Sequence, residues 1–178
     1  KFNTMMKKMI LLTVLVASLG IANAQSEYKQ AIGARVSGAL GYDVFSGSFK
    51  TFMSEAGAME FNVGFGFNTY GYLLGSYKTT TLGLSAAYQH HFPIGNVEGL
   101  KWYLGGGATA LYSSSKWDDY KGFSLGVFPT GGADYKFKNI PLNVSADWRP
   151  TFFFVNPDKG LFHGFYPSSA GVAARYTF

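Results

Sequence analysis

Ala170-Gly171-Val172-Ala173-Ala174-Arg175-Tyr176-Thr177-Phe178 ends the chain, and it alternates. Phe178, Tyr176, Ala174, Val172 and Ala170 fall on one face; Thr177, Arg175, Ala173, Gly171 and Ser169 fall on the other. Side chains switch face at every residue of a strand, so this is a strand with one apolar face and one small or polar face. Two settings accept such a strand. One is the edge of a soluble sandwich. The other is the closing strand of a transmembrane barrel, whose terminal aromatic lies in the interfacial girdle. The rest of the chain decides between them.

Working back from the terminus, residues 142–154 and 123–137 form a hairpin joined by Lys138-Asn139-Ile140-Pro141. A two-residue connection at Asn139-Ile140 pairs Phe137 with Leu142, Tyr135 with Val144, Ala133 with Ala146 and Gly131 with Trp148, all facing outward. Lys136 then pairs with Asn143 and Asp134 with Ser145, facing inward, so like faces stay together, as a hairpin requires. The same register sets Pro129 beside Pro150. Proline cannot donate to a ladder, so a bulge or a loosened ladder is expected there.

The alternation recurs upstream. Met59, Phe61, Val63, Phe65 and Phe67 alternate with Glu60, Asn62, Gly64, Gly66 and Asn68. Leu82, Leu84, Ala86, Tyr88, His90 and Phe92 face away from Gly83, Ser85, Ala87, Gln89 and His91 in a strand over 80–92. Trp102, Leu104, Ala108, Ala110 and Tyr112 share the outer face of a strand over 100–112. Strands over 31–42 and 48–53 precede these, the first with Ile32, Ala34, Val36, Leu40 and Tyr42 outside and Arg35, Ser37 and Gly41 inside. The total is eight strands, without repeats or a domain boundary. Connections near 54–58, 93–99 and 138–141 are short and are expected on the periplasmic side. Those near 69–79, 113–122 and 155–167 are longer and are expected outside, with an unusually short one near 43–47.

Composition points the same way. Aromatics make up 18% of the chain and Gly 23 of 178 residues, while charged residues are only 14%, against about 25% in a soluble domain. Near the start, Lys7-Lys8 precede an apolar run from Met9 to Leu19 and then Ala22-Asn23-Ala24. A basic segment, a short apolar run and an Ala-x-Ala site make a secretory signal peptide over 1–24. Translation is expected to begin at Met5 or Met6, with residues 1–4 extraneous, and the mature domain is expected over 25–178. The apolar run falls short of the roughly 20 residues a membrane helix needs. The formal charge of +5 owes three units to Lys1, Lys7 and Lys8, which leaves 12 basic and 10 acidic residues after cleavage. Nothing in that balance favours nucleic acid. There is no cysteine, hence no disulfide, no thiol chemistry and no lipoprotein acylation site. An exported, aromatic-rich chain without an apolar helix spans a bilayer only as a closed β-barrel. The fold class expected is therefore all-β: a transmembrane, antiparallel, up-and-down barrel of eight strands behind a cleaved signal peptide. Eight strands enclose an interior just wide enough for side chains to fill.

Glu55-Ala56-Gly57-Ala58-Met59-Glu60, Tyr88-Gln89-His90-His91-Phe92-Pro93, the run 99–107, the run 135–142 and Asp147-Trp148-Arg149-Pro150 together resemble the small outer-membrane β-barrel proteins common in Bacteroidetes. These belong to the OmpX/OmpA-like class of eight-stranded barrels. The resemblance covers nearly the whole mature chain and implies fold and place, not an activity. It implies Sec-dependent export to the outer membrane and contact with outer-membrane lipid and lipopolysaccharide. It also implies passage through periplasmic chaperones and the barrel-assembly machinery, whose recognition signal the tail resembles through Tyr176 and Phe178. A monomer is expected.

Several residues stand out. Arg35, Glu60, Asp134, Asp147, Arg149 and Arg175 fall on inward positions, and buried charges must pair or cost several kcal/mol each. A salt-bridge network that plugs the lumen is expected from them; the competing reading is a charged constriction that selects ions. Trp102, Tyr103 and Trp148, with Tyr176 and Phe178, read as interfacial girdle residues. His90 and His91 point to opposite faces, which argues against a shared metal and favours the girdle. Gly105-Gly106-Gly107 and Gly131-Gly132 lie inside strands with no helix after them, so they make room for bulky lumen neighbours rather than cradle phosphate. Tyr70, Tyr72 and Trp117 are candidates for stacking on sugars. His163 near Ser168 and Ser169 is the one trace of a lipid A deacylase-like pair, without a convincing Ser-x-His arrangement. No cofactor, metal or catalytic residue is expected. The leading function is a non-enzymatic outer-membrane scaffold with a filled lumen, the alternative is a narrow porin-like channel, and the third is a lipid A-modifying enzyme.

Overall fold

The computed structural model describes residues 28–38, 45–72, 75–95, 97–114, 121–155, 164–167 and 169–178. The expected leader, Leu40, Tyr42, Trp117 and the His163–Ser168 pair lie outside them.

Ten described strands follow one another, and along most of their length burial alternates residue by residue. They are β1 (Gln30–Ser37), β2 (Phe45–Phe52), β3 (Gly57–Tyr72), β4 (Gly75–Pro93), β5 (Leu100–Ser114), β6 (Gly122–Lys136), β7 (Leu142–Trp148), β8 (Thr151–Val155), β9 (Gly164–Tyr166) and β10 (Ala170–Thr177). Neighbours pair antiparallel from β1 through β7, β7 pairs with β10, and β10 pairs with β1 through Ala31↔Thr177 to Ser37↔Gly171. The ring is closed. It has eight staves, because β7 with β8, and β9 with β10, are each one stave interrupted once. Closure leaves the wall without the open edge that exposes unpaired backbone groups.

The hairpin register over 131–148 is the one the sequence dictates: Gly131↔Trp148, Ala133↔Ala146, Asp134↔Ser145, Tyr135↔Val144 and Lys136↔Asn143. The ladder between β6 and the next stave stops above Gly131↔Trp148 and resumes at Val127↔Phe152. Pro129 and Pro150 occupy the gap, as their missing N–H groups require.

Three expectations are corrected. Residues 69–72 and 75–79 are strand rather than loop: β3 and β4 continue to Tyr72↔Gly75. Thr69, Tyr70, Tyr72, Tyr77, Thr79 and Thr80 are β-branched or aromatic, and that preference outweighs the glycines among them. β2 begins at Phe45 rather than Ser48, because Phe45 and Gly47 pair with Phe65 and Val63 and continue the outer face. Within 155–167, Gly164–Tyr166 forms β9 against β8. The turns at the end holding Tyr28 and Phe178 are short, and the one before β5 carries Gly95 and Gly99 at φ of 53° and 86°, in the left-handed region that favours glycine.

Burial is inverted relative to a soluble protein. Ile32, Val63, Phe65, Leu82, Leu84, Leu104 and Val172 are exposed, whereas Arg35, Lys50, Glu60 and Gln89 are 0% exposed.

Candidate functional site

The polar side chains converge inside the barrel, and the hub is Glu60 on β3. Its Oε1 accepts from Arg149 Nη2 at 2.6 Å and from Asn62 Nδ2 at 3.1 Å. Its Oε2 accepts from Gln89 Nε2 at 2.8 Å and lies 3.0 Å from Arg175 Nη2 and 3.9 Å from Lys50 Nζ. Asp147 is a second node: Arg35 Nη2 donates to it at 2.6 Å, Arg149 Nη2 at 2.8 Å and the Tyr103 hydroxyl at 3.4 Å. Asp134 is a third, accepting from Lys50 Nζ and Asn143 Nδ2, both at 2.7 Å, and from Tyr28 at 3.4 Å. Arg175 ties the nodes together by donating to Ser48 at 2.9 Å and Ser145 at 2.8 Å. The six charged residues singled out in the sequence, Arg35, Glu60, Asp134, Asp147, Arg149 and Arg175, are thus in one network, none more than 6% exposed.

Three glycines make this packing possible. A Cβ on Gly171 would run into the Arg35 guanidinium. One on Gly132 would first meet the Ala146 carbonyl oxygen of the next strand and then the Tyr103 hydroxyl at 2.8 Å, and one on Gly107 would first meet the Ala86 carbonyl oxygen and then the Phe128 ring at 2.7 Å. The last two glycines thus spare neighbouring backbone as well as a bulky lumen side chain.

Tyr103 is a correction. It is not a girdle residue but is fully buried in the lumen, with Lys50 Nζ 4.9 Å from its ring centroid. His91 is likewise inside, 4.9 Å from the Phe52 ring and 5.0 Å from the Tyr103 ring. The physical reason is parity: Trp102 and Phe92 point outward, so their neighbours in the strand point inward. His90 does face outward, against Phe92 at 4.8 Å. Trp102 stacks on Phe92 at 4.4 Å, and Tyr176 and Phe178 are exposed side by side at 6.4 Å, so an aromatic band rings the terminal end. Trp148 also faces outward, at the level where Ala170↔Trp148 ends the β7–β10 ladder, and its indole donates to the Pro167 carbonyl at 2.6 Å.

Lys50, Gln89, Lys101 and Asn143 belong to the buried set but were not singled out in the sequence. Their signal was present, since Lys50 follows outward Phe49 and Lys101 precedes outward Trp102. Tyr28 had no such signal: it precedes β1 and reaches Asp134 across 106 residues of chain.

The lumen has two halves. Among the described residues the buried charges lie in the half nearer Phe178 or at mid-height. Toward the far end the described inward positions are Ser37, Ser46, Gly64, Gly66, Thr79, Thr81, Gly83, Ser85, Thr109, Leu111, Ser113, Ser124, Gly126, Phe128, Thr151, Phe153 and Ser169. That half is lined by hydroxyls, glycines and three large apolar side chains, and carries no charge among the described residues. Thr81 and Ser113 hydrogen-bond there at 3.0 Å.

No family model and no curated protein matches this chain. Among solved structures, the crystal structure of Neisserial surface protein A (NspA) is similar at 16% identity, over 84% of this chain and 94% of that one, with a TM-score of 0.46.

Proposed function

We propose that this chain is an integral outer-membrane β-barrel protein whose lumen is plugged by its own side chains and whose role is that of a non-enzymatic surface scaffold. The observation that carries the reading is the inverted burial: a continuous apolar wall outside and an interlocked ionic network inside. In water such a wall is an aggregation surface; in lipid the same surface is the stable one. Strand lengths add support. A tilted strand crosses the hydrocarbon core with about 9–11 residues, and β3, β4 and β5 have 16, 19 and 15. The surplus lies toward the far end, where the β3–β4 hairpin would project beyond the lipid and meet lipopolysaccharide or other surfaces.

In this reading residues 1–24 are the export leader, the short turns are periplasmic, and Tyr176 and Phe178 serve as the assembly signal read by the barrel-assembly machinery. The chain has no cysteine, so a nitroxide on Leu84→Cys reports the wall cleanly. After refolding into vesicles, oxygen should relax that label strongly and a water-soluble nickel chelate weakly. Stronger relaxation by the chelate would place the wall in water and end the membrane reading.

A narrow channel is the second reading, favoured by the hydroxyl-lined far half of the lumen. The two readings part at Glu60, where the network either closes the barrel or leaves a path. Lipid A modification stands third. It predicts a changed lipid A mass spectrum in cells expressing the chain, reverted by His163→Ala.

A further inference from the structure

The end of the barrel that holds Phe178 is uneven in charge. Among the described residues its rim carries Glu55 on the turn between β2 and β3 and Glu98 on the turn before β5. On the other side Lys29, Lys136 and Lys138 stand together, where the start of β1, the β6–β7 turn and the end of β10 meet, and they line one hollow of about 580 Å³. Its walls are tied by backbone bonds. Gln30 and Phe178 exchange N–H to carbonyl bonds at 3.1 and 2.9 Å, and Thr177 N–H donates to the Pro141 carbonyl at 3.0 Å. Its floor is buried: Thr177 and Tyr28 are 5% and 8% exposed, and the Tyr28 hydroxyl is anchored to Asp134 beneath.

Two chemistries meet in this hollow. One is cationic. Lys136 Nζ donates to the Ile140 carbonyl at 3.0 Å and to the Phe137 carbonyl, which fixes the ammonium against the turn. Lys138 is paired with Glu98 on the neighbouring turn. Among the described residues no Asp or Glu side chain lines the hollow, and with Glu98 set against Lys138 its lining still carries the charge of Lys29 and Lys136. Asp134 below the floor is bonded to Lys50 and Asn143. The other chemistry is apolar. Ile140 and Phe178 are exposed at the mouth, and along the outer wall beside them Tyr176, stacked near Phe178, is the cross-strand partner of Leu142. Phe178 and Tyr176 belong to the aromatic band, which in a membrane lies at headgroup level.

We infer that this hollow is a binding site for the phosphate headgroup of an anionic glycerophospholipid, with the phosphate on Lys29 and Lys136 and an acyl chain laid along the wall over Phe178 and Tyr176. Lysine ammonium groups serve phosphate as point charges, and juxtamembrane lysines gain from an anionic lipid surface. A free phosphate ion would use the lysines alone and leave Ile140 and Phe178 uncovered. A zwitterionic headgroup brings its own cation to a cationic hollow. Lipid alone matches both the charge and the apolar mouth. The inference rests on the barrel reading and is independent of whether the lumen is plugged.

The test refolds the barrel into phosphatidylcholine vesicles with a rising fraction of phosphatidylglycerol at constant ionic strength. It follows the temperature at which the compact gel band converts to the unfolded one. The wild type should show a rise that saturates with phosphatidylglycerol. Lys29→Gln and Lys136→Gln should each weaken half-saturation about fivefold, the worth of one lysine at an anionic surface. Lys29 lies outside the β6–β7 turn, so Lys29→Gln still reads the site if Lys136→Gln loosens that turn. Lys121→Gln removes the same charge at the opposite end and should leave half-saturation unchanged. A compact band with no dependence on phosphatidylglycerol, or with the same weakening in Lys121→Gln as in Lys29→Gln, overturns the site and leaves only a general surface potential. A rise produced by inorganic phosphate over pure phosphatidylcholine overturns the lipid as ligand. Absence of a compact band in the wild type overturns the barrel reading and the site with it.

Discussion

The two halves of the lumen are built on the same strands and face the same axis, yet they are opposite in character. The half near Phe178 is filled by long charged side chains and by the rings of Tyr28, Phe52, His91 and Tyr103, locked by Glu60, Asp134 and Asp147. The far half is Ser, Thr and Gly with three large apolar side chains, Leu111, Phe128 and Phe153, and it carries no charge among the described residues. The difference teaches that strand count sets the bore of a barrel but side-chain length decides whether it is closed. Only the terminal half carries both the bulk and the paired charge that closure demands.

The sharpest way to break this contrast is Glu60→Ala. It leaves Arg149 and Arg175 facing each other without their shared carboxylate and should cost about 3–5 kcal/mol, read as a lower urea midpoint for the refolded barrel. Next is the outer wall, where Leu84→Arg should cost about 2–4 kcal/mol in lipid vesicles. An equal midpoint for Leu84→Arg and wild type would show that this wall does not meet hydrocarbon. Gly132→Ala drives a methyl against the Ala146 carbonyl oxygen and the Tyr103 hydroxyl and should cost about 1–3 kcal/mol by overpacking, visible also as a changed near-ultraviolet tyrosine signal. The smallest effect belongs to the far half. Thr81→Val removes the Thr81–Ser113 bond and should cost about 0.5–1.5 kcal/mol. A loss as large as that of Glu60→Ala would mean that the far half is as tightly interlocked as the other.

Much of this was legible in the sequence because a two-residue period records the inside and outside of a wall directly. The hairpin at 138–141 was readable to the residue, since only one register keeps Asp134 with Ser145 and Phe137 with Leu142 on their proper faces. Arg35, Glu60 and Arg175 followed from the same parity. Tyr103 went astray where residue type was weighed above parity: an aromatic beside Trp102 looks interfacial, but its place in the strand turns it inward. The far hairpin went astray because Tyr and Gly suggest a loop in isolation, whereas pairing along β3 and β4 is a property of two strands together. Which carboxylate meets which guanidinium was not legible at all. Glu60 and Arg149 are 89 residues apart, and their meeting depends on how far the ring is staggered when it closes.

The central claim is that the network around Glu60 closes the barrel, and single-channel recording tests it most directly. The chain, refolded until it runs as a compact heat-modifiable band, is added to a planar bilayer under an applied potential. The account predicts no discrete conductance steps. Stable steps in such a sample, with a size that changes in Glu60→Gln or Arg149→Gln, would contradict it and show an ion path through the network.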